Sequence, residues 1–258
     1  MPDLSAILIL ALALVGTGAS IFGSIVGLGG GFIAVPTLRV FFHFSPGLAA
    51  ATSLVLVFAN TAGATVSFAR QGRVAFDLAL PVATAAIPAS IAGAFVSTRL
   101  PPAIFDKLFA FLMAGIAIDV LLRLRTVRAV EIPGRSRRRS VLGWILCGLV
   151  VGFVSSLFGI GGGIVAVPML LYFTVKPLEV VTATSTAIIA FTAPVGIVAH
   201  AFAHDIAWVP ALALGCGALA GGQIGAYLAQ FISTRQLGAL LAIAMFAAAA
   251  AMGLRNVL

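Results

Sequence analysis

Two long stretches of this chain, Leu4 to Leu38 and Val40 to Ala69, contain no Asp, Glu, Lys or Arg. A helix needs about 20 predominantly apolar residues to cross the roughly 30 Å hydrocarbon core of a bilayer, and each stretch is long enough. The 258 residues are 62% hydrophobic and 9% charged, against about 25% charged in ordinary soluble domains. One soluble core cannot hide that much apolar surface. Backbone in lipid must satisfy its own hydrogen bonds, which helices do within a single segment. The expected fold class is therefore an all-α integral membrane protein.

The first twenty residues, "MPDLSAILILALALVGTGAS", resemble a secretory signal in their apolar run and small final residues. Their leading segment carries Asp3 and no Lys or Arg, and the run has a counterpart in mid-chain, so it reads as part of the fold. The formal net charge of +8 comes largely from one place. Seven of the 15 Lys and Arg lie in "RLRTVRAVEIPGRSRRR", residues 123–139. Such a loop reads as a cytoplasmic orientation signal that also meets anionic lipid headgroups. No aromatic residues interleave with its arginines, so a nucleic-acid stacking platform is not indicated. Cys147 and Cys216 stand alone in apolar runs and read as packing residues, with no disulfide, metal or redox role.

The chain repeats itself. Shifted by 132 residues, "GSIVGLGGGFIAVP" at 23–36 falls on "SSLFGIGGGIVAVP" at 155–168, with eight of fourteen positions identical. Further on, the "ATS" of 51–53 meets that of 183–185, and Gly93-Ala94 meets Gly225-Ala226. The expected organisation is a first membrane repeat over 1–123, a basic cytoplasmic linker over 124–139 and a second membrane repeat over 140–258. Helical segments are expected near 4–26, 32–44, 46–69, 75–98 and 103–123, then near 140–158, 164–174, 177–203, 206–230 and 235–255. The second segment of each repeat, at 1.5 Å per residue, is too short to span, and reads as one arm of a re-entrant or broken helix.

The glycines explain why that short helix exists. Gly29, Gly30 and Gly31, and their counterparts Gly161, Gly162 and Gly163, break helices inside an apolar setting. A helix that starts there presents free N–H groups and a partial positive charge, which favour an anion. Transporters build midplane sites from such discontinuous helices in corresponding positions of two repeats. The series Gly217, Gly221 and Gly225 reads instead as a helix-packing stripe. The breaks lack the Lys-Ser/Thr of a P-loop and follow no strand, so nucleotide binding is not expected. Polar residues recur beside them: Thr52 and Ser53 in the first repeat, Thr184 and Ser185 in the second, with Asn60 in register with Thr192. Serines and threonines in membrane helices also bond back to their own helix, so these are candidates for a polar pathway. No metal, cofactor or catalytic cluster is expected. The i,i+4 pair His200 and His204, followed by Asp205, reads as a solvated loop, and Asp119 with Arg123 as a local ion pair.

"GLGGGFIAVPTL" and "GIGGGIVAVPML", each heading a repeat in an apolar chain of this size, resemble the TauE/SafE sulfite exporter family, also called the toluene sulfonate uptake permeases. The resemblance spans residues 5–255. It implies a bacterial inner-membrane, multi-pass transporter for small sulfur-containing anions such as sulfite, sulfoacetate or other sulfonates. It also implies that Gly29–Gly31 with Pro36, and Gly161–Gly163 with Pro168, form the substrate region. Backbone N–H groups and hydroxyls suit a sulfonate's acceptor oxygens without a buried fixed charge, and Arg39 lies near enough in sequence to be tested.

Two alternatives stay open: an anion channel, and a transporter for a small anion without sulfur. An intramembrane enzyme would need a nucleophile with its base, or a metal cluster, and neither is visible. With three or five crossings per repeat, the second repeat inverts relative to the first; with four they run parallel. With the basic joint inside, the inverted arrangement puts eleven Lys/Arg inside and four outside, and the parallel one ten and five, so charge barely discriminates. Inversion brings both breaks to the midplane from opposite faces. The expectation is an inverted repeat with both termini outside.

Overall fold

A computed structural model describes residues 6–126, 141–174, 176–203, 205–232 and 234–254. Residues 127–140, which hold most of the expected 124–139 linker, His204 and the side chain of Arg123 fall outside them, so the expected Asp119–Arg123 pair and the His204 half of the histidine pair are not described. Among the described residues the structure has ten helices and no strand: α1 Ala6–Val26, α2 Gly31–Val40, α3 Pro46–Arg70, α4 Phe76–Arg99, α5 Pro102–Thr126, α6 Val141–Phe158, α7 Gly163–Phe173, α8 Leu178–Phe202, α9 Trp208–Leu228 and α10 Thr234–Leu254. Six of these, α1, α3, α4, α6, α8 and α9, are long and apolar enough to cross a membrane.

The glycine breaks turn the chain back on itself. Gly27, Gly29 and Gly30 take φ of 77°, 84° and 80°, and Gly159, Gly161 and Gly162 take 72°, 83° and 71°. Only glycine adopts this left-handed backbone without steric cost. The amides of Leu28 and Gly29 both donate to the Gly23 carbonyl, at 2.8 and 3.3 Å. The reversal lays α2 along α1, with the Phe22 and Phe32 rings 5.9 Å apart. With 10 and 11 residues, α2 and α7 are about 15–17 Å long, half a bilayer core. The next helix, α3, has an ordinary start: Pro46 opens it and the Ser45 hydroxyl accepts from the Leu48 amide at 3.4 Å.

Glycine stripes set the helix packing. α1 lies on α9, where Gly217 meets Ala13, Gly221 meets Thr17 and Gly225 meets Ile21, backbone against backbone. The pairing advances in the same direction along both helices, so they run parallel. α4 and α6 pack the same way, with Gly148 on Val82 and Gly152 on Ala86. In lipid no hydrophobic force joins two apolar helices, so close approach over small residues supplies the attraction. α3 and α8 cross at the centre and run antiparallel: Arg73, just past α3, pairs with Glu179 in the first turn of α8 at 2.6 Å. At their other ends, the Ala207 amide after α8 donates to Thr52 near the start of α3 at 3.2 Å.

An aromatic and methionine cluster beside α2 seals α5 and α10 to the rest. Phe158 packs against Phe105 and Phe109 at 5.4 and 5.7 Å, with Met113 and Met245 buried alongside. At its edge Arg39, at the end of α2, is 1% exposed and forms a two-pronged ion pair with Asp106 of α5, with N–O distances of 2.7 Å. Its guanidinium also donates to the Phe44 carbonyl and lies 5.7 Å from the Phe105 ring centre. Arg39 thus fastens α2 to α5.

Candidate functional site: two opposed glycine breaks

The two breaks, far apart in sequence, meet inside the protein. A methyl group on Gly163 would lie 2.7 Å from the Gly27 carbonyl oxygen and 2.8 Å from Leu28 Cα. In the other direction, a methyl on Gly31 would strike the Gly159 carbonyl and lie 2.7 Å from Ile160 Cα. Both breaks sit on the same two side chains, Val57 of α3 and Ile189 of α8. Val57 would be 3.1 Å from a methyl on Gly29 and 2.5 Å from one on Gly161. Every residue from Gly27 to Phe32 and from Gly159 to Ile164 is buried.

Each of α2 and α7 therefore begins inside the molecule with no side-chain cap. The first amides of a helix have no partner within it, so Gly31 and Phe32, like Gly163 and Ile164, start with free donors. Pro36 and Pro168 lie inside these helices. A proline has no N–H to give to the residue four before it, so the Phe32 and Ile164 carbonyls lose their usual partners as well. The result is two short helices with unusually many uncommitted backbone groups, their positive ends directed into one buried region.

The polar residues around the breaks are held in two ways, and Thr184, which also donates to the Val180 carbonyl of its own helix, is held in both. Ser53 donates to the Gly159 carbonyl at 2.8 Å, and Ser185 donates to the Gly27 carbonyl at 3.3 Å. Thr52 accepts from the Ala207 amide at 3.2 Å, and Thr184 from the Ala75 amide at 3.0 Å. These four tie one half to the other. Thr61, Thr186 and Thr192 instead bond back to carbonyls of their own helices. Asn60 differs from both groups. Its carbonyl oxygen accepts from Ser24 at 2.5 Å, while its Nδ2, fully buried, has no partner. The hydroxyl of Ser20, one turn before Ser24, is also buried and unpartnered. Gly221, Gly222 and Gly225 of α9 pack on these three residues, so the packing stripe also walls a polar niche beside the first break.

Several residues lie elsewhere than the sequence suggests. His200 is no part of a solvated loop: it is fully buried in α8, and its Nε2 lies 3.1 Å from the Ser156 carbonyl oxygen. The helix expected over 177–203 forms as α8, ending at Phe202, and its packing against the Ser156 carbonyl of α6 places the ring inside. Arg39 is committed to Asp106 and is not aimed at the breaks. Ser20, Ser24, Ser155 and Ser156 were not singled out by composition. Their signal was position, since Ser24 falls on Ser156 under the 132-residue shift. Cys147 is buried and Cys216 exposed, both as free thiols.

An all-helical, multi-pass membrane protein whose short helices start at buried breaks is the class these features define. The chain belongs to the sulfite exporter TauE/SafE family, whose model matches residues 12–252. It is 31% identical over 248 residues to the probable membrane transporter protein YunE of Bacillus subtilis, covering 88% of this chain and 90% of the relative. A probable membrane transporter protein of Methanocaldococcus jannaschii is 30% identical, with 77% and 74% covered. One from Sinorhizobium, ORF9, is 27% identical, with 96% and 94% covered. No solved structure matches the chain. The protein is a membrane transporter, and its family and relatives are transporters rather than enzymes.

Proposed function

We propose that this chain is an inner-membrane carrier for small sulfur-containing anions, namely sulfite, sulfoacetate or another sulfonate, bound where the two glycine breaks meet. The observation that carries this reading is the pair of uncapped helix starts at Gly31 and Gly163, buried against each other's breaks. A sulfonate offers three acceptor oxygens. The free amides of α2 and α7 supply donors, and Asn60 Nδ2 and the Ser20 hydroxyl add two more. None of these donors carries a full charge, so binding is reversible on a transport timescale. Val57 and Ile189 lie between the breaks and must part for an anion to enter. Export is the direction that the family's description names.

The same reading relates the two halves by a two-fold axis in the membrane plane. Its support is reciprocity under the 132-residue shift. Ser53 with Gly159 has the mate Ser185 with Gly27, and Thr52 with Ala207 has the mate Thr184 with Ala75. The antiparallel course of α3 and α8 favours inversion over a parallel arrangement. Each half then holds three crossings and one re-entrant hairpin, with both termini outside and the arginine-rich linker in the cytoplasm. Alternating access follows if one half rocks against the other about the shared breaks.

Liposomes holding the purified protein should take up labelled sulfite or sulfoacetate with saturation, faster when unlabelled anion is inside. Transport of a cation, or flux without saturation or trans-stimulation, rejects the carrier reading.

A further inference from the structure

The reciprocity between the halves fails at one buried position. His200 occupies the place that Phe68 holds in the first half, and both are buried, at 0% and 2% exposure. Phe68 packs among Ala64, Ala183 and Ala226 and has no chemistry to offer. His200 has a polar setting instead. A carbonyl oxygen can only accept, so the imidazole Nε2 within 3.1 Å of the Ser156 carbonyl carries the proton of that bond. Nδ1 is then the bare lone pair, and it is buried without a partner. The hydroxyls of Ser155 and Ser156 are likewise buried and unpartnered, and both sit immediately before the second break. A methyl on Gly162 would lie 3.1 Å from Ser155 Cβ.

On its other side His200 leads outward. Its backbone carbonyl accepts from the Asp205 amide at 3.2 Å. The Asp205 carboxylate, partly exposed, lies against Gly47, which also abuts Thr98 of α4, and the Ser97 hydroxyl, next to Thr98 in the chain, is buried without a partner. Few other ionisable groups face this point. Of the described residues on the helices packed around α8, α3 brings Arg70 and α4 brings Asp77, both at the far end. α4 also brings Arg99, bound to the Phe95 carbonyl and ring at the near end. α6 brings only Cys147, and α7 only Tyr172. On α8 itself, Glu179 is paired with Arg73 at the far end.

We propose that His200 is a proton-binding site that couples proton movement to anion movement, reached from the Asp205 end and lying beside the second break. This rests on the anion-carrier reading above. Nδ1 takes up one proton while Nε2 keeps its own, so the ring becomes a cation. A lone buried cation is costly, but the cost falls when an anion occupies the adjacent breaks. Proton and anion therefore load together, the proton offsetting one of the anion's negative charges. The matching place in the first half cannot duplicate this, because Phe68 does not titrate.

The test uses liposomes containing the full chain and a pH-sensitive dye, with sulfoacetate as the probe. Sulfite is unsuitable here because it carries its own protons near neutral pH. In wild type, inward sulfoacetate should acidify the interior. His200→Phe copies the residue of the first half, and His200→Gln keeps a donor for the Ser156 carbonyl without titrating. Both should lose the acidification and retain sulfoacetate exchange between two equal pools, which needs no net proton transfer. The proposal is overturned if wild type takes up sulfoacetate down its gradient without acidifying the interior, or if either variant still acidifies. It is also overturned if both variants lose exchange, since the ring would then be structural or a direct anion ligand. Wild type that exchanges no sulfur anion at all rejects the carrier reading itself, and this inference with it.

Discussion

Ser53 donates its hydroxyl to the carbonyl oxygen of Gly159 at 2.8 Å, tying α3 of the first half to the glycine break of the second. Its counterpart Ser185 holds the Gly27 carbonyl. These buried bonds fix where each short helix begins. A net contribution of about 0.5–1.5 kcal/mol is usual for such a bond. Ser53→Ala and Ser185→Ala should each lower stability by about that much, with the orphaned glycine carbonyl adding to the loss. Thermal unfolding in detergent checks this. Transport should fall more steeply than stability, because the break itself loses its anchor.

Gly30 and Gly162 give a different outcome. Both have positive φ, and a methyl on either would sit 2.7 Å from a backbone oxygen, of Ala19 or Val151. Any larger residue is strained as well as crowded, so Gly30→Leu and Gly162→Leu should fail to yield folded protein. Size-exclusion profiles report this. A well-folded leucine variant at either position contradicts the hairpin geometry. Loss of transport in these variants says nothing about anion contact, which makes Asn60→Ala the informative substitution.

The Arg39–Asp106 pair gives a stability prediction. Removing one partner leaves a buried charge unmatched, at a cost of about 3–5 kcal/mol. Arg39→Met alone and Asp106→Leu alone should each be severely destabilised. The double substitution should recover much of the loss, since an apolar pair of similar volume suits the site. Melting temperatures of the three variants test it, and equal, additive losses would contradict a direct pairing.

Glycines elsewhere divide by what they touch. Gly217, packed against the Ala13 backbone, should not tolerate alanine, whereas Gly18 and Gly115 have nothing within 4 Å of an added methyl. Alanine at the last two should be neutral or stabilising by up to about 1 kcal/mol. Expression and melting temperature separate the two classes.

Much of this was readable from sequence. Charge-free runs located the helices, and the repeated G-x-G-G-G located both reversals, because few other residues accept three left-handed turns in a short span. The Gly217–Gly225 stripe was legible as packing for the same reason: small residues at helical spacing have few other uses in lipid. The partners were not legible. Nothing in the order of residues says that Ser53 reaches Gly159 rather than its own helix, since both satisfy a hydroxyl. Nor does it pair Arg39 with Asp106, because their burial depends on how α2 folds back against α5. The helix expected over 177–203 already held His200, but the order of residues does not say that its ring faces the Ser156 carbonyl of α6 rather than solvent beside Asp205.

Orientation follows from the inverted reading. A reporter fused after Leu258 should be active outside the cytoplasm, and one inserted within the expected 124–139 linker should be active within it. Activity of the Leu258 fusion in the cytoplasm would contradict inversion.

The most direct measurement of the central claim is sulfite and sulfoacetate counterflow in liposomes carrying either wild type or Asn60→Ala. The account predicts saturable, trans-stimulated exchange by wild type. It predicts a weakened apparent affinity in the variant, since a buried donor beside the first break has been removed. Exchange with unchanged affinity in the folded variant, together with equal uptake of an unrelated cation, would contradict anion binding at the glycine breaks.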